Sequence, residues 1–429
     1  MRILITGATG FIGSHITQAM IKAGHHVILC VRNPATAQQR FQVAECIQVD
    51  FTQEQEVVIW VPRLKNIDIV INAVGIIREH GMQTFDALHR DAPTVLFQAC
   101  EIAQVKRVIQ ISALGADETA LSQYHLSKRA ADEALSQLKL EWAVLMPSIV
   151  YGSNAKSMAL FKAVASLPVI PLVDAGDQPV QPIHISDLMV AVLDCVETKQ
   201  PIQKRIELVG PEPITMRELY SRLRNWLGFA QPRFAAIPYS ITLLFARWTG
   251  FLTKRPISEE AVQMLKRGNT GDVGNFVNTY GYLPKSFDQA LSETPAQQAD
   301  RWHAGLYFLR PLLRWSIAFV WIFTGIISVF VVPTEVSFTL LTKAGVTGLF
   351  APLILYGASA TDILIGLAVL TRHRPRLVGW LQITVIILYT LIITASQPEQ
   401  WIHPFGPVTK NIPMIASILV MMTLEKNDD

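Results

Sequence analysis

The spacing of hydrophobic residues divides this chain of 429 residues in two. In the first part they come in short runs of strand length alternating with helix-like stripes. "ILIT", Ile3 to Thr6, is followed at once by glycines, and behind these Phe11, Ile12, Ile16, Met20 and Ala23 share one helix face that ends at Gly24. "HHVILCVRNP", "CIQVDF", "DIVINAVGI", "RVIQISALGA" and "EWAVLMPSIVYG" read as five further strands, so the pattern predicts a six-strand α/β unit, a doubly wound parallel sheet of Rossmann type. Further on, Ile183 and Ile185 alternate into a core, Ser186 and Asp187 open a helix, and Thr215 with Glu218 has capping-box spacing, as expected of a small C-terminal lobe.

From Leu312 the runs lengthen. "LLRWSIAFVWIFTGIISVFVV", "LFAPLILYGASATDILIGLAVL" and "LVGWLQITVIILYTLIITA" are each long enough to cross a hydrocarbon core of about 30 Å. "NIPMIASILVMMTL", extended back to Pro407, reads as a fourth span, giving a four-helix transmembrane bundle. The expected boundaries are 1–291 for the nucleotide-binding domain, 292–306 for a linker that includes "TPAQQAD", and 307–425 for the membrane domain. The segment "IPYSITLLFARWTGFLTKR", with Arg247, Trp248, Lys254 and Arg255, is too interrupted for a span and reads equally as an interfacial helix or an ordinary one.

Composition agrees with a partly lipid-embedded chain: half the residues are hydrophobic and 17% are charged. A net charge of +3 with no Lys/Arg block excludes an electrostatic nucleic-acid footprint. Cys30, Cys46, Cys100 and Cys195 have no metal-type spacing, and no metal site is expected. The N-terminal apolar run is too short and too soon broken by glycine for a signal peptide. Arg301, Arg310 and Arg314 precede the first span and Arg372, Arg374 and Arg376 separate the second from the third. Those arginines mark the cytoplasmic side, so the nucleotide-binding domain and the C-terminus are expected in the cytoplasm of a bacterial-type inner membrane.

Candidate chemistry lies mainly in the first part. From Gly7 through Thr9, Gly10, Phe11 and Ile12 to Gly13, the turn between strand and helix lets the backbone approach a pyrophosphate and offers it the helix's free N–H groups. At the end of the second strand, where a carboxylate would hold a ribose 2′-hydroxyl, stands Arg32, which favours NADP over NAD. Ser112 ends the fifth strand, and Tyr124 and Lys128 are four apart on one helix face.

The spacing G-x-x-G-x-x-G resembles the extended and atypical branches of the short-chain dehydrogenase/reductase superfamily, and the resemblance runs through most of the first 290 residues. It implies that Asp50 and Phe51 border the adenine, that Asn72, Ala73 and Gly75 lie beside the cofactor, and that Pro147 and Ser148 belong to the loop covering the nicotinamide. It also implies that Tyr124, its phenolate stabilised by Lys128, passes the proton while Ser112 binds the substrate oxygen and Lys128 holds the nicotinamide ribose. "ISALGA", "YHLSKRAADEAL" and "LMPSIVYG" are similar to the atypical group that includes the complex I 39-kDa subunit and NmrA-like proteins. Members of that group often bind NADP(H) without turnover, and Met146 stands where they often have arginine. His184 resembles a structural histidine of the superfamily and is left out of the site.

"HPFGPVTKNIPMIASILV" and the four-span layout resemble the DoxX-like membrane family. Asp362 inside the second span reads either as a functional carboxylate or as a satisfied packing residue, and His403 and Lys410 as interface anchors. Two functions are therefore expected as alternatives: a membrane-tethered oxidoreductase acting on a hydrophobic carbonyl, alcohol or quinone, or a cofactor-bound structural or regulatory subunit of a membrane redox complex. The bilayer is a partner in both.

Overall fold

The computed structural model describes residues 1–152, 155–252 and 259–425. The chain forms two compact units, Met1–Ala304 and a second beginning at Gly305.

In the first unit seven strands, β1 (Arg2–Thr6), β2 (His26–Val31), β3 (Glu45–Gln48), β4 (Ile69–Asn72), β5 (Arg107–Ile111), β6 (Glu141–Pro147) and β7 (Gln203–Leu208), make one parallel sheet in the order β7-β6-β5-β4-β1-β2-β3. Apolar runs rather than alternation mark the central strands because both faces are covered. Ile3, Ile5, Ile69, Ile71, Ile109 and Ile111 enter the core on one side, while Leu4, Val70 and Val108 enter the core on the other. Strand β7 is the one the sequence reading missed. It pairs only with β6, and Gln203, Lys204 and Arg205 are exposed while Ile206 and Leu208 are buried. Such an edge strand is largely polar and lacks the apolar run that identified its neighbours.

Helix α1 (Phe11–Lys22) follows the glycine turn and buries Ile16 and Met20, as its stripe predicts. Ile185 belongs to the helix Ile185–Glu197 rather than to a strand, and His184 caps that helix by accepting from the Ser186 N–H. The capping box of Thr215 and Glu218 is present. Helix α2 (Gln123–Ser136) carries Tyr124 and Lys128 and is capped by Ser122. Within the interrupted apolar segment, Tyr239–Leu252 is helical with Ile241, Leu244 and Phe245 exposed. The side chains of Arg247 and Trp248, and all of Lys254 and Arg255, lie outside the described residues.

The second unit is helical from Gly305, which lies within α3 (Gln298–Phe330). α3, α4 (Phe350–Thr371) and α5 (Pro375–Ser396) are long and apolar enough to cross a membrane. α6 (Asn411–Leu424) has 14 residues, about 21 Å at 1.5 Å per residue, short of the hydrocarbon thickness. Three membrane-capable helices are thus found among the described residues, where four spans were expected; the segment back to Pro407 does not extend α6. All four helices still share one core, built from Ile317 and Trp321, Ile365 and Val369, Ile383 and Ile386, and Ile418 and Met421. Phe319, Leu364, Trp380 and Leu391 point outward and are more than half exposed. Asp362 is buried and accepts a 3.4 Å hydrogen bond from Tyr389, while the Trp321 indole donates to Gln382 at 2.9 Å.

Candidate nucleotide site

Sheet order reverses direction between β1 and β4, the kind of switch point at which ligands bind in open α/β sheets. The turn after β1 lies at this switch point and packs against Ala73. Gly7 has φ +67°, and a Cβ there would lie 2.5 Å from the Ala73 carbonyl oxygen. A Cβ on Gly13 would overlap the Gly7 carbonyl, so the turn and the first turn of α1 are in contact. Gly10 is the N-cap of α1 and offers no side-chain acceptor, and the first turn holds no acidic residue. The first N–H groups of α1, on Phe11, Ile12 and Gly13, have no partners within the helix and are available to an anion. Thr9 and Gly10 are exposed and Phe11 and Ile12 half-buried, so the approach is open.

Arg32, just beyond β2, is exposed and has no ion pair among the described residues. Its neighbour Asn33 is occupied in capping the next helix through the Thr36 N–H. At the end of β3 the Asp50 carboxylate accepts from the backbone and hydroxyl of Thr52 at 3.0 and 2.8 Å, and the Phe51 ring is buried edge-on against Trp60. Both side chains are thus committed to the fold. Ser148 is likewise occupied, donating to the Gln181 carbonyl at 2.6 Å, and the Pro147 carbonyl accepts from the Leu114 N–H. Asn72 is fully buried: Thr6 donates to its Oδ1 at 2.5 Å, and its amide donates to Gln110 Oε1 at 2.7 Å, linking the ends of β1, β4 and β5.

Beyond Asn72 the chain passes Ala73 and the exposed Gly75, and here it meets Lys128. The Lys128 ammonium donates to the carbonyls of Val74 and Ile111, both at 3.0 Å, and lies 3.4 Å from where a Cβ on Gly75 would be. Burial pushes Lys128 down to about 8, against the opposing pull of the Asp132 carboxylate. Tyr124, one turn before it, is packed edge-to-face against His89, Phe85 and His125. Burial pushes the Tyr124 phenol up to about 12, helped by the negative charge of Asp132. The spacing to Lys128 leads one to expect a stabilised phenolate, whereas burial and the Asp132 charge act on the phenol in the opposite sense. Ser112 does not present a free hydroxyl either, because its Oγ donates to Asp132.

Three groups in this cluster escaped the sequence reading. Asp132 could have been found, since it stands four residues after Lys128 on the face that carries Tyr124. His89, fully buried on the π-helical turn Asp86–Asp91, accepts the Ile76 N–H at Nε2 and faces the Ser127 hydroxyl with Nδ1. Burial and the Lys128 charge hold it down to about 2, so it is a neutral spacer beside Tyr124. Gln110 sits mid-run in an apolar strand. Neither it nor His89 carries a local signal, because their partners come from distant segments.

Residues 7–165 match the NAD(P)H-binding family and residues 318–419 the DoxX-like family. The first unit is an NAD(P)-binding Rossmann domain of oxidoreductase type. The chain as a whole joins that domain to a DoxX-like membrane domain. Subunit 9 of the NADH dehydrogenase [ubiquinone] 1 alpha subcomplex of Arabidopsis thaliana is 26% identical over 264 residues, 58% of this chain and 64% of that protein. The chain thus spans less than two thirds of that relative's length. The ceramide reductase of Caulobacter vibrioides is 27% identical over 241 residues, 55% of this chain and 73% of that enzyme.

Among solved structures, the NADPH-dependent quinone oxidoreductase of Escherichia coli complexed with NADPH superposes with a TM-score of 0.54 at 20% identity. It covers 68% of this chain and 99% of its own. UDP-glucuronic acid 4-epimerase from Bacillus cereus, in complex with UDP-glucuronic acid and NAD, gives 0.53 at 21%, covering 72% and 100%. These two share the fold, one holding NADPH and the other NAD.

Proposed function

We propose that this chain is a membrane-tethered, NADP(H)-dependent reductase of a hydrophobic carbonyl compound or quinone. The reading rests on one observation above the others: Lys128, on the helix that also carries Tyr124, adjoins the Ala73–Gly75 segment against which the glycine turn packs. The first amides of α1 would hold the pyrophosphate, Arg32 the 2′-phosphate, and the third Lys128 proton, unpartnered among the described residues, the nicotinamide ribose. A bound nicotinamide supplies the hydride. Tyr124 is fully protonated at neutral pH and donates its proton to the oxygen as the carbonyl carbon is reduced.

The similarity to ceramide reductase supports an apolar substrate drawn from the bilayer, and the apolar helices supply the tether. The proposed division is 1–291 for the catalytic part, 292–306 for the link and 307–425 for the membrane part. Arg310, Arg314, Arg372, Arg374 and Arg376 are the warrant for a cytoplasmic catalytic part at a bacterial-type inner membrane.

A second reading, a non-catalytic NADP(H)-binding subunit of a membrane redox complex, is favoured by the engagement of Ser112 with Asp132 and by the similarity to an NADH dehydrogenase subunit. Turnover of NADPH by the purified full-length protein, with a panel of quinones and apolar carbonyls, decides between the two. Tyr124→Phe is expected to abolish turnover with NADPH affinity nearly unchanged, and Lys128→Ala to damage both. Absence of turnover in the unaltered protein would favour the second reading, while full activity in Tyr124→Phe would overturn Tyr124 as the proton donor.

A further inference from the structure

We propose that the helix Tyr239–Leu252 docks the nucleotide-binding unit onto the anionic face of the bilayer, its Ile241 and Leu244 side among the acyl chains, so that an apolar substrate reaches the Ser112 and Tyr124 segments from lipid. The docking stands on the helix itself; its use in delivery rests on the reductase reading above.

The inner side of the helix holds it in place. It begins at Tyr239, whose N–H donates to the Asp174 carboxylate at 2.9 Å and whose ring centre lies 4.5 Å from the Lys266 ammonium. It continues through the half-buried Thr242 and Leu243 to the buried Ala246. On the outer side Ile241, Leu244 and Phe245 are 43%, 55% and 65% exposed, at the i, i+3, i+4 spacing of a single helix face. The sequence repeats that spacing at Trp248 and Leu252, whose side chains lie outside the described residues.

Charge and size both give lipid rather than protein as the occupant. Residues 239–258 include Arg247, Lys254 and Arg255 and no acidic residue, so no charge in the segment repels an anionic headgroup. A few apolar side chains fall far short of the roughly 20–30 residues a side of a stable protein interface. They suffice for shallow insertion when the chain is already attached to the same membrane. The apolar helices α3, α4 and α5 supply that attachment, which makes the second contact intramolecular and the effective concentration of lipid high.

The neighbouring helix ties this surface to the site. In Glu259–Arg267, which carries Lys266, the Glu260 carboxylate accepts from the Gln123 N–H at 3.1 Å, one residue before Tyr124. At the other end Arg267 donates to the Gly115 carbonyl, the Asp117 carboxylate and the Thr119 hydroxyl at 2.8, 2.6 and 2.8 Å, gripping the loop that follows Ser112. Leu121, just before helix α2, is exposed, and so is Met82 in the stretch leading to Phe85, whose ring meets Tyr124 edge-on. The segments flanking Tyr124 therefore suit an apolar tail.

The test uses the full-length protein in vesicles of mixed phosphatidylcholine and phosphatidylglycerol. The half-buried Cys46 is replaced by serine, the other three cysteines being buried. An environment-sensitive fluorophore is attached at Leu244→Cys or, as a control on the same unit, at Leu283→Cys, which is also exposed. Lipid-borne nitroxides are expected to quench the label at 244 and spare the one at 283, and the quenching at 244 to weaken in phosphatidylcholine alone. Equal quenching at both positions, or a label at 244 open to aqueous iodide, overturns docking. A label at 244 shielded from both quenchers, as it would be against a second copy or another protein surface, overturns it too, and quenching indifferent to phosphatidylglycerol overturns the anionic preference.

Ile241→Glu/Leu244→Glu is expected to keep its NADPH affinity and its rate on a short, soluble carbonyl compound while losing about tenfold or more on a long-chain one carried in the vesicles. Rates lost equally, or on neither, overturn delivery; should the glutamates prevent folding, the uncharged Ile241→Gln/Leu244→Gln carries the same expectation. An unaltered protein without turnover refutes the reductase reading, and delivery with it, while the quenching still decides docking.

Discussion

Arg32 and Tyr124 differ in how much a single residue shows. The reading of Arg32 rests on one local fact, its place just beyond β2, where the structure leaves it exposed. Arg32→Ala is accordingly expected to leave the melting temperature in place, to weaken NADPH about tenfold or more, and to spare NADH. Titration with both cofactors checks this, and equal losses would mean that the guanidinium is not the 2′-phosphate partner. Tyr124 was legible in position but not in chemistry. The spacing to Lys128 predicts an acidified phenol, while Phe85, His89 and His125 close around the ring and raise its pKa instead. Burial of this kind is assembled from segments far apart in the chain, so no window of sequence around Tyr124 contains it.

Elements were readable to the degree that their hydrophobic pattern was strong. The strand–turn–helix of β1 and α1 was visible at once, because a buried strand, a glycine turn and a 3.6-residue stripe are all local signals. β7 was invisible because an edge strand needs apolar residues at only alternate positions, whereas Ile183 and Ile185 are both buried as expected, with the helix beginning at Ile185, one residue before Ser186. At the turn itself, Gly13 meets the Gly7 carbonyl closely enough that a methyl group cannot be inserted without moving α1. Gly13→Ala should therefore lower stability by about 1–3 kcal/mol and displace the helix amides from the anion position, with loss of NADPH binding. Thermal melts paired with fluorescence titration measure the two effects, and retained affinity in a folded Gly13→Ala protein would refute this account of the turn.

For the whole molecule, the division into a nucleotide-binding part and a membrane part was plain in the lengthening of the apolar runs. The number of spans was not, because α6 has the composition of a membrane helix without the length. The first unit has its own cores on both faces of the sheet, so a chain ended after Ala304 is expected to fold and bind NADPH. It should lose most of its activity toward a lipid-borne substrate while keeping that toward a short, soluble analogue. Equal activity on both would reduce the membrane part to an anchor or a separate function. The outward-facing Phe319, Leu364, Trp380 and Leu391 carry a consequence of another kind. In the second unit apolar side chains lie on the outside as well as within, so hydrocarbon is its native solvent, while the first unit is held together by exclusion from water. Urea and heat weaken the one far more directly than the other. No single unfolding temperature or free energy therefore describes this chain, and its stability is two quantities set by two different liquids.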